Sequence, residues 1–248
     1  VLPYQMWSMN KVKPDTKTLD KWKTTYKGPY VLSCKLDGVS GLYTTEGDKA
    51  KLYTRGNGEV GQDVSHLIPY LKLPPKETHP DIVLRGEFII PKQLFESKYQ
   101  SEFANARNLV AGVVNQKKVE EDKFADIDFV CYEVIKPTLK PSEQMAFIDN
   151  LNVLPVQSII KDEITIEALS ETLVSWRDNY EYDVDGVICA DDNIYPRVKG
   201  NPDHAFAFKM VMTEQIAEAK VLDVLWTPSK DGYLKPRVQI EPVVLGGA

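Results

Sequence analysis

Seven short runs in which apolar and polar residues alternate, spread between Tyr30 and Met210, constrain this chain more than any other feature of its sequence. They cover 30–36, 40–44, 51–54, 82–90, 128–134, 184–189 and 205–210. Successive side chains of a strand point to opposite faces, so such runs predict sheets with one face turned to a core. Between them, 92–99, 106–115, 141–150 and 166–180 are rich in helix formers and repeat apolar residues every three or four positions, which predicts helices. Strands this short, interleaved with helices, point to an α+β domain of antiparallel sheets with flanking helices. Beyond Met210 the pattern changes to 220–225, a turn at Ser229-Lys-Asp-Gly232, and 234–245. That reads as a hairpin opening a second, small β domain, which two or three strands cannot complete and which is expected to continue past Ala248.

Composition enters mainly through what it excludes. With 248 residues, 43% of them hydrophobic, the chain can bury a sizeable core. No apolar run approaches the roughly 20 residues of a membrane span, and the first ten residues lack the layout of a signal peptide, so an intracellular protein without a membrane partner is expected. Cys34, Cys131 and Cys189 are far apart and form no Cys-x-x-Cys pair, which argues against a zinc site or a disulfide framework. A reducing compartment fits that usage. The net charge of −6 conceals an uneven distribution: residues 1–55 carry ten cations against five acids. Phosphate binding depends on where charges lie and not on their sum, so a polyanionic partner stays open.

The chemistry-bearing residues recur on the polar faces of these strands. In 31–37, Lys35 and Asp37 share a face opposite Leu32, Cys34 and Leu36. Arg85 and Glu87 oppose Leu84 and Phe88; Asp183 and Asp185 precede an apolar run; Lys209 opposes Phe206 and Phe208. A core would not hold these charges unpaired. A lysine amine attacks phosphorus only when neutral, so neighbouring cations or desolvation are needed to release its proton. Thr54-Arg-Gly-Asn-Gly58 offers two glycines for close approach to a phosphate or ribose, beside Arg55 as a planar donor.

The series Cys34-Lys-Leu-Asp-Gly38, Thr54-Arg-Gly-Asn-Gly58, Arg85-Gly-Glu87, Phe103-Ala-Asn-Ala-Arg-Asn108, Phe129-Val-Cys-Tyr132, Val184-Asp-Gly-Val-Ile188 and Ala207-Phe-Lys209 resembles, in order and spacing, the motifs of NAD⁺-dependent DNA ligases. Met6-Trp-Ser-Met-Asn-Lys11 is similar to that family's lead-in. The Val39-Ser40 that follows Lys-x-Asp-Gly differs from ATP-dependent ligases, which usually carry an arginine at the second of these positions. The resemblance implies a ligase-type nucleotidyltransferase domain over 1–212 and, over 213–248, the beginning of an oligonucleotide-binding (OB-fold) barrel. It implies three adenylyl-transfer steps, in which Lys35 takes AMP from NAD⁺, passes it to the 5′-phosphate of nicked double-stranded DNA, and the strand is sealed. Lys209 is then the α-phosphate partner, Glu87 the acceptor for a ribose hydroxyl, and Arg55 the contact near ribose and phosphate. Tyr132 is the adenine platform, with Ile188 as the opposite wall; Gly186 can bulge the strand, so Val187 remains the alternative. Asp37 and Asp185 are the carboxylates for Mg²⁺ or the nick terminus, Arg107 holds the nick 5′-phosphate, and a monomer is expected. The alternatives are an ATP-using DNA or RNA ligase and a nicked-DNA-binding module without adenylation.

Three positions depart from the family pattern: Ser33 stands for a glutamate that reads the adenine amino group, Asn115 for an arginine, and Ala190 for a lysine, with Lys199 as a candidate substitute. His66, His79 and His204 lie outside every motif and read as structural or surface groups. The resemblance also implies a small domain that grips the nicotinamide mononucleotide half of NAD⁺; it is not expected within these residues, so use of NAD⁺ by this stretch alone stays open.

Overall fold

The computed structural model describes residues 1–14, 16–210 and 216–245. The chain forms two compact units, 1–210 and 211–248.

Two five-stranded sheets build the first unit. One contains β1 (Asn10–Val12), β2 (Tyr30–Leu36), β8 (Ser158–Lys161), β9 (Val184–Asp191) and β10 (Ala205–Phe208), in the order β1-β10-β9-β2-β8. The other contains β3 (Val39–Thr44), β4 (Lys51–Thr54), β5 (Val83–Ile89), β6 (Asp128–Lys136) and β7 (Leu154–Pro155), in the order β4-β3-β5-β6-β7. Most pairings are antiparallel, but β1–β10 and β6–β7 are parallel, so the sheets are mixed rather than purely antiparallel. The α+β class stands.

Each sheet is apolar on one face because its strands alternate, and helices cover that face. Under the first sheet, Leu32, Cys189 and Phe206 form a core with α1 (Thr16–Thr25) and α6 (Ile166–Asn179), through Leu19, Leu169 and Leu173. Full burial of each leucine contributes about 2 kcal/mol. Under the second sheet, Leu84, Phe88 and Phe129 meet α3 (Ala106–Val114) through Leu109 and Val113. Further helices are α2 (Lys92–Lys98), α4 (Glu121–Phe124) and α5 (Pro141–Asp149), with a 3₁₀ turn at Ser65–Tyr70. Local sequence sets the helix starts: Asn105 Oδ1 accepts from Asn108 N at 2.8 Å, and Thr165 Oγ1 from Ala168 N at 3.0 Å. Each side chain satisfies an N–H that the first helical turn leaves without an intrahelical partner.

The second unit contains an antiparallel hairpin, β11 (Val221–Pro228) and β12 (Leu234–Ile240), turned at Gly232 with φ 84°. No closed barrel is formed among the described residues. The boundary expected near residue 212 falls at 211–215, outside the described residues, as do Gly246 and Gly247 of the expected barrel opening.

Candidate active site

A cleft of about 960 Å³ is bordered by residues of both sheets, from Lys35, Asp185 and Ile188 of the first to Glu87 and Tyr132 of the second. Its floor is set by the β2–β9 register. Lys35 lies opposite Gly186 and Leu36 opposite Val184, so Asp185 is the extra residue of a β-bulge. That bulge turns the Asp185 carboxylate to the lysines: Lys35 Nζ reaches its Oδ2 at 3.1 Å and Lys209 Nζ reaches the same oxygen at 2.8 Å. Gly186 permits this close approach, because a Cβ there would stand 2.7 Å from the Phe208 carbonyl oxygen and 3.2 Å from Lys209 Cγ. Beyond the bulge the alternation resumes, with Ile188 lining the cleft and Val187 fully buried in the core.

Electrostatics at the floor follow from that geometry. Burial pushes the Asp185 carboxyl up, but the hydrogen bond from Lys209 and the charges of Lys35 and Lys209 outweigh it and hold the group below the ordinary carboxylate range. Asp37 goes the other way. Burial, then the charge of Asp185, raise its pKa, against the opposing charges of Arg107, Lys35 and Lys209. Arg107, exposed in the first turn of α3, therefore belongs to the same electrostatic group and also lines the cleft.

The second sheet supplies the opposite wall. Glu87 is buried, its Oε1 accepting from Gly38 N at 3.2 Å and its Oε2 from Ser40 Oγ at 2.9 Å. Burial pushes its pKa up to about 7, against the lowering effects of Ser40, Lys35, the Gly38 N–H and Arg85. Tyr132 is half-buried, with its hydroxyl 3.2 Å from Ser40 Oγ and the Arg85 guanidinium 5.6 Å from its ring centroid. Arg85 also pairs with Glu133 at 3.3 Å, but its buried Nε has no acceptor among the described residues. Arg55 borders the cleft from the Thr54–Gly58 turn and donates its Nε to the Met6 carbonyl at 2.8 Å.

Lys35, Asp37, Asp185, Arg55, Glu87, Tyr132, Ile188 and Arg107 all line this cleft, and Lys209 joins them through its ion pair with Asp185. Ser33, Asn115 and Ala190 also border it, while Lys199 does not, although Val198 and Gly200 beside it do. The connection between β9 and β10 supplies residues that the sequence reading missed. Arg197 reaches across to Glu133 Oε1 at 2.8 Å and donates to the Gln5 carbonyl at 2.6 Å, while His204 stacks on Tyr195 with centroids 4.1 Å apart. Both Arg197 and His204 rim the cleft. No spacing in the sequence signals a pair 64 residues apart.

The family model for the NAD-dependent DNA ligase adenylation domain matches residues 4–210. The chain belongs to that family. Relatives include a DNA ligase of Acanthamoeba polyphaga mimivirus, 43% identical over 98% of this chain and 39% of that protein. A DNA ligase of Ligilactobacillus salivarius is 30% identical over 88% of this chain and 35% of its own length. The chain thus spans less than two fifths to about two fifths of these curated relatives. Among solved structures, a putative ATP-dependent DNA ligase from Aquifex aeolicus shares the fold with a TM-score of 0.53 at 15% identity, over 83% of this chain and 50% of that one.

Proposed function

We propose that this chain is the nucleotide-transfer part of a DNA ligase, in which Lys35 becomes covalently adenylated from NAD⁺ and the AMP passes to the 5′-phosphate of nicked double-stranded DNA. The observation that carries this reading is the arrangement of Lys35 and Lys209 on one carboxylate oxygen at the floor of the cleft. Both side chains converge on Asp185 Oδ2, which sets the attacking amine of Lys35 beside the cation that meets the α-phosphate. Asp185, held below the usual carboxylate range, stays ionised and aims both side chains.

In the first step Lys35 Nζ attacks the α-phosphorus of NAD⁺, consumed here as substrate. The N–P bond forms as the P–O bond to nicotinamide mononucleotide breaks, and its electron pair leaves with the mononucleotide. Lys209 neutralises charge on the α-phosphate in the transition state. Glu87 accepts from a ribose hydroxyl, and Arg55, with its Nε committed to Met6, turns its terminal nitrogens to the ribose and phosphate. Tyr132 stacks on the adenine, with Ile188 as the opposite wall. The buried Glu87 carboxyl and the unsatisfied Arg85 Nε fit a cleft that takes a polar ligand.

Mg²⁺ fits this site in part. Asp37 and Asp185 are close enough for one charge to raise the other's pKa, yet Asp185 Oδ2 already takes two ammonium groups. Among the described residues no group of three or more His, Cys, Asp or Glu side chains is placed to hold a metal ion. The ion would enter on diphosphate oxygens with Asp37 as its protein ligand, as Mg²⁺ commonly does, and no step above depends on it.

Arg107 receives the nick 5′-phosphate, and 213–248 begins an OB-fold domain that follows the nucleotidyltransferase domain of 1–212. The protein works as a monomer inside the cell. Incubating the parent-length protein with NAD⁺ and then with a nicked duplex tests the reading. AMP transfer to the 5′-phosphate, dependent on Lys35 and not supported by ATP, is the expected result. Duplex binding without any AMP transfer from either donor would favour the non-catalytic module instead.

A further inference from the structure

We propose that Ser40 is a positioning residue that ties Glu87 to Tyr132, so that the groups set to contact ribose and base are held as one unit. The proposal rests on the nucleotide-binding reading of the cleft and deepens it.

Ser40 lies directly opposite Glu87 in the β3–β5 register, on the strand faces that border the cleft. Its Oγ donates to Glu87 Oε2 at 2.9 Å. A serine hydroxyl has one proton, and that proton is used on the carboxylate. The contact with the Tyr132 hydroxyl at 3.2 Å then runs the other way, with tyrosine donating to serine. The result is a directed chain from Tyr132 through Ser40 to Glu87. The Gly38 N–H on Oε1 fixes the carboxylate's other oxygen. Gly38 is held against the same strand, since a Cβ there would lie 2.1 Å from the Phe88 carbonyl oxygen. Without the Ser40 hydroxyl, Glu87 Oε2 loses its donor and the Tyr132 hydroxyl its acceptor, which leaves the ring held by apolar packing and by Arg85 at 5.6 Å, with no link to the carboxylate.

The charged and titratable groups that face Glu87 are Lys35 from β2, Arg85 on its own strand and Tyr132 from β6. Ser40, Lys35, Gly38 and Arg85 all favour the ionised carboxylate against burial. Removing the Ser40 donor therefore moves Glu87 further above about 7, and fewer molecules carry the charged acceptor near neutrality. A residue that merely filled space on β3 would leave that titration where it is.

The test compares wild type, Ser40→Ala and Ser40→Thr in adenylation by NAD⁺, from about pH 6 to about pH 9, reading KM and kcat separately. Ser40→Ala is expected to raise KM about fivefold to tenfold near neutrality, the factor that follows from weakening a hydrogen bond to a charged group. Its kcat at saturation should stay within about twofold of wild type, and the acid limb of kcat/KM should move to higher pH. Ser40→Thr, which keeps the hydroxyl, should restore both. Coincident pH profiles and equal KM for wild type and Ser40→Ala would overturn the proposal while leaving the nucleotide reading intact. Failure of the wild type itself to be adenylated would remove that reading, and the Ser40 role with it.

Discussion

Replacing Glu87 by glutamine is expected to make the protein more stable in mildly alkaline solution even as it weakens the grip on nucleotide. Glu87 is buried, and burial raises its pKa from 4.5 to about 7 despite the Ser40 and Gly38 hydrogen bonds and the charges of Lys35 and Arg85. A carboxyl with a raised pKa in the folded state stabilises that state fully only below its unfolded value. The contribution disappears as pH climbs through the folded pKa, because the unfolded chain releases the proton first. The window here runs from about 4.5 to about 7. A shift of that size corresponds to about 3 kcal/mol, most of it lost between about pH 5 and about pH 8. Glutamine keeps the shape and does not titrate. Urea unfolding of both proteins at the two pH values gives the comparison, with the other titrating groups common to each. The expected outcome is a difference that grows in favour of Glu87→Gln by about 2 to 3 kcal/mol on going to the higher pH. Parallel pH dependences would refute the claim that Glu87 is held in the cleft at an energetic cost, as a ligand contact would require.

Two further substitutions test other parts of the site. Arg107→Ala should leave Lys35 adenylation nearly normal but slow AMP transfer to nicked DNA by about 10²-fold, if a charged hydrogen bond worth about 3 kcal/mol is lost. Single-turnover assays from pre-adenylated protein measure this directly, and an unchanged transfer rate would leave the nick-phosphate role without support. Gly186→Ala should cost about 1–3 kcal/mol in urea unfolding, because the new methyl meets a backbone oxygen at 2.7 Å that cannot swing away. The same change should lower the adenylation rate by displacing Lys209, and wild-type values for both quantities would show that the bulge tolerates a side chain.

Alternation made the cleft legible in the sequence wherever a strand kept its register. Lys35, Glu87 and Lys209 sit on polar faces of 30–36, 82–90 and 205–210, and the structure gathers them around one cavity. The bulge at Asp185 broke that logic locally: only the observed pairing, Lys35 with Gly186 and then Leu36 with Val184, decides that Ile188 and not Val187 faces the cleft. Short elements left too little periodicity to read. β1 has three residues, β8 has four, and α1 presents only Leu19 and Trp22 as large apolar side chains among ten positions. Ser40 was legible as a departure from ATP-dependent ligases but not as the link between Glu87 and Tyr132, because its partners come from two other strands. Arg197 and Glu133 meet through a long connection whose path no local propensity specifies.

Covalent chemistry at Lys35 is the step on which every other role in the cleft depends. Mass analysis of proteolytic peptides after incubation with NAD⁺ should find one AMP on the peptide that contains Lys35, removed when nicotinamide mononucleotide is added back, and absent from Lys35→Ala. No AMP on any peptide, or AMP carried by a lysine other than Lys35, would contradict it.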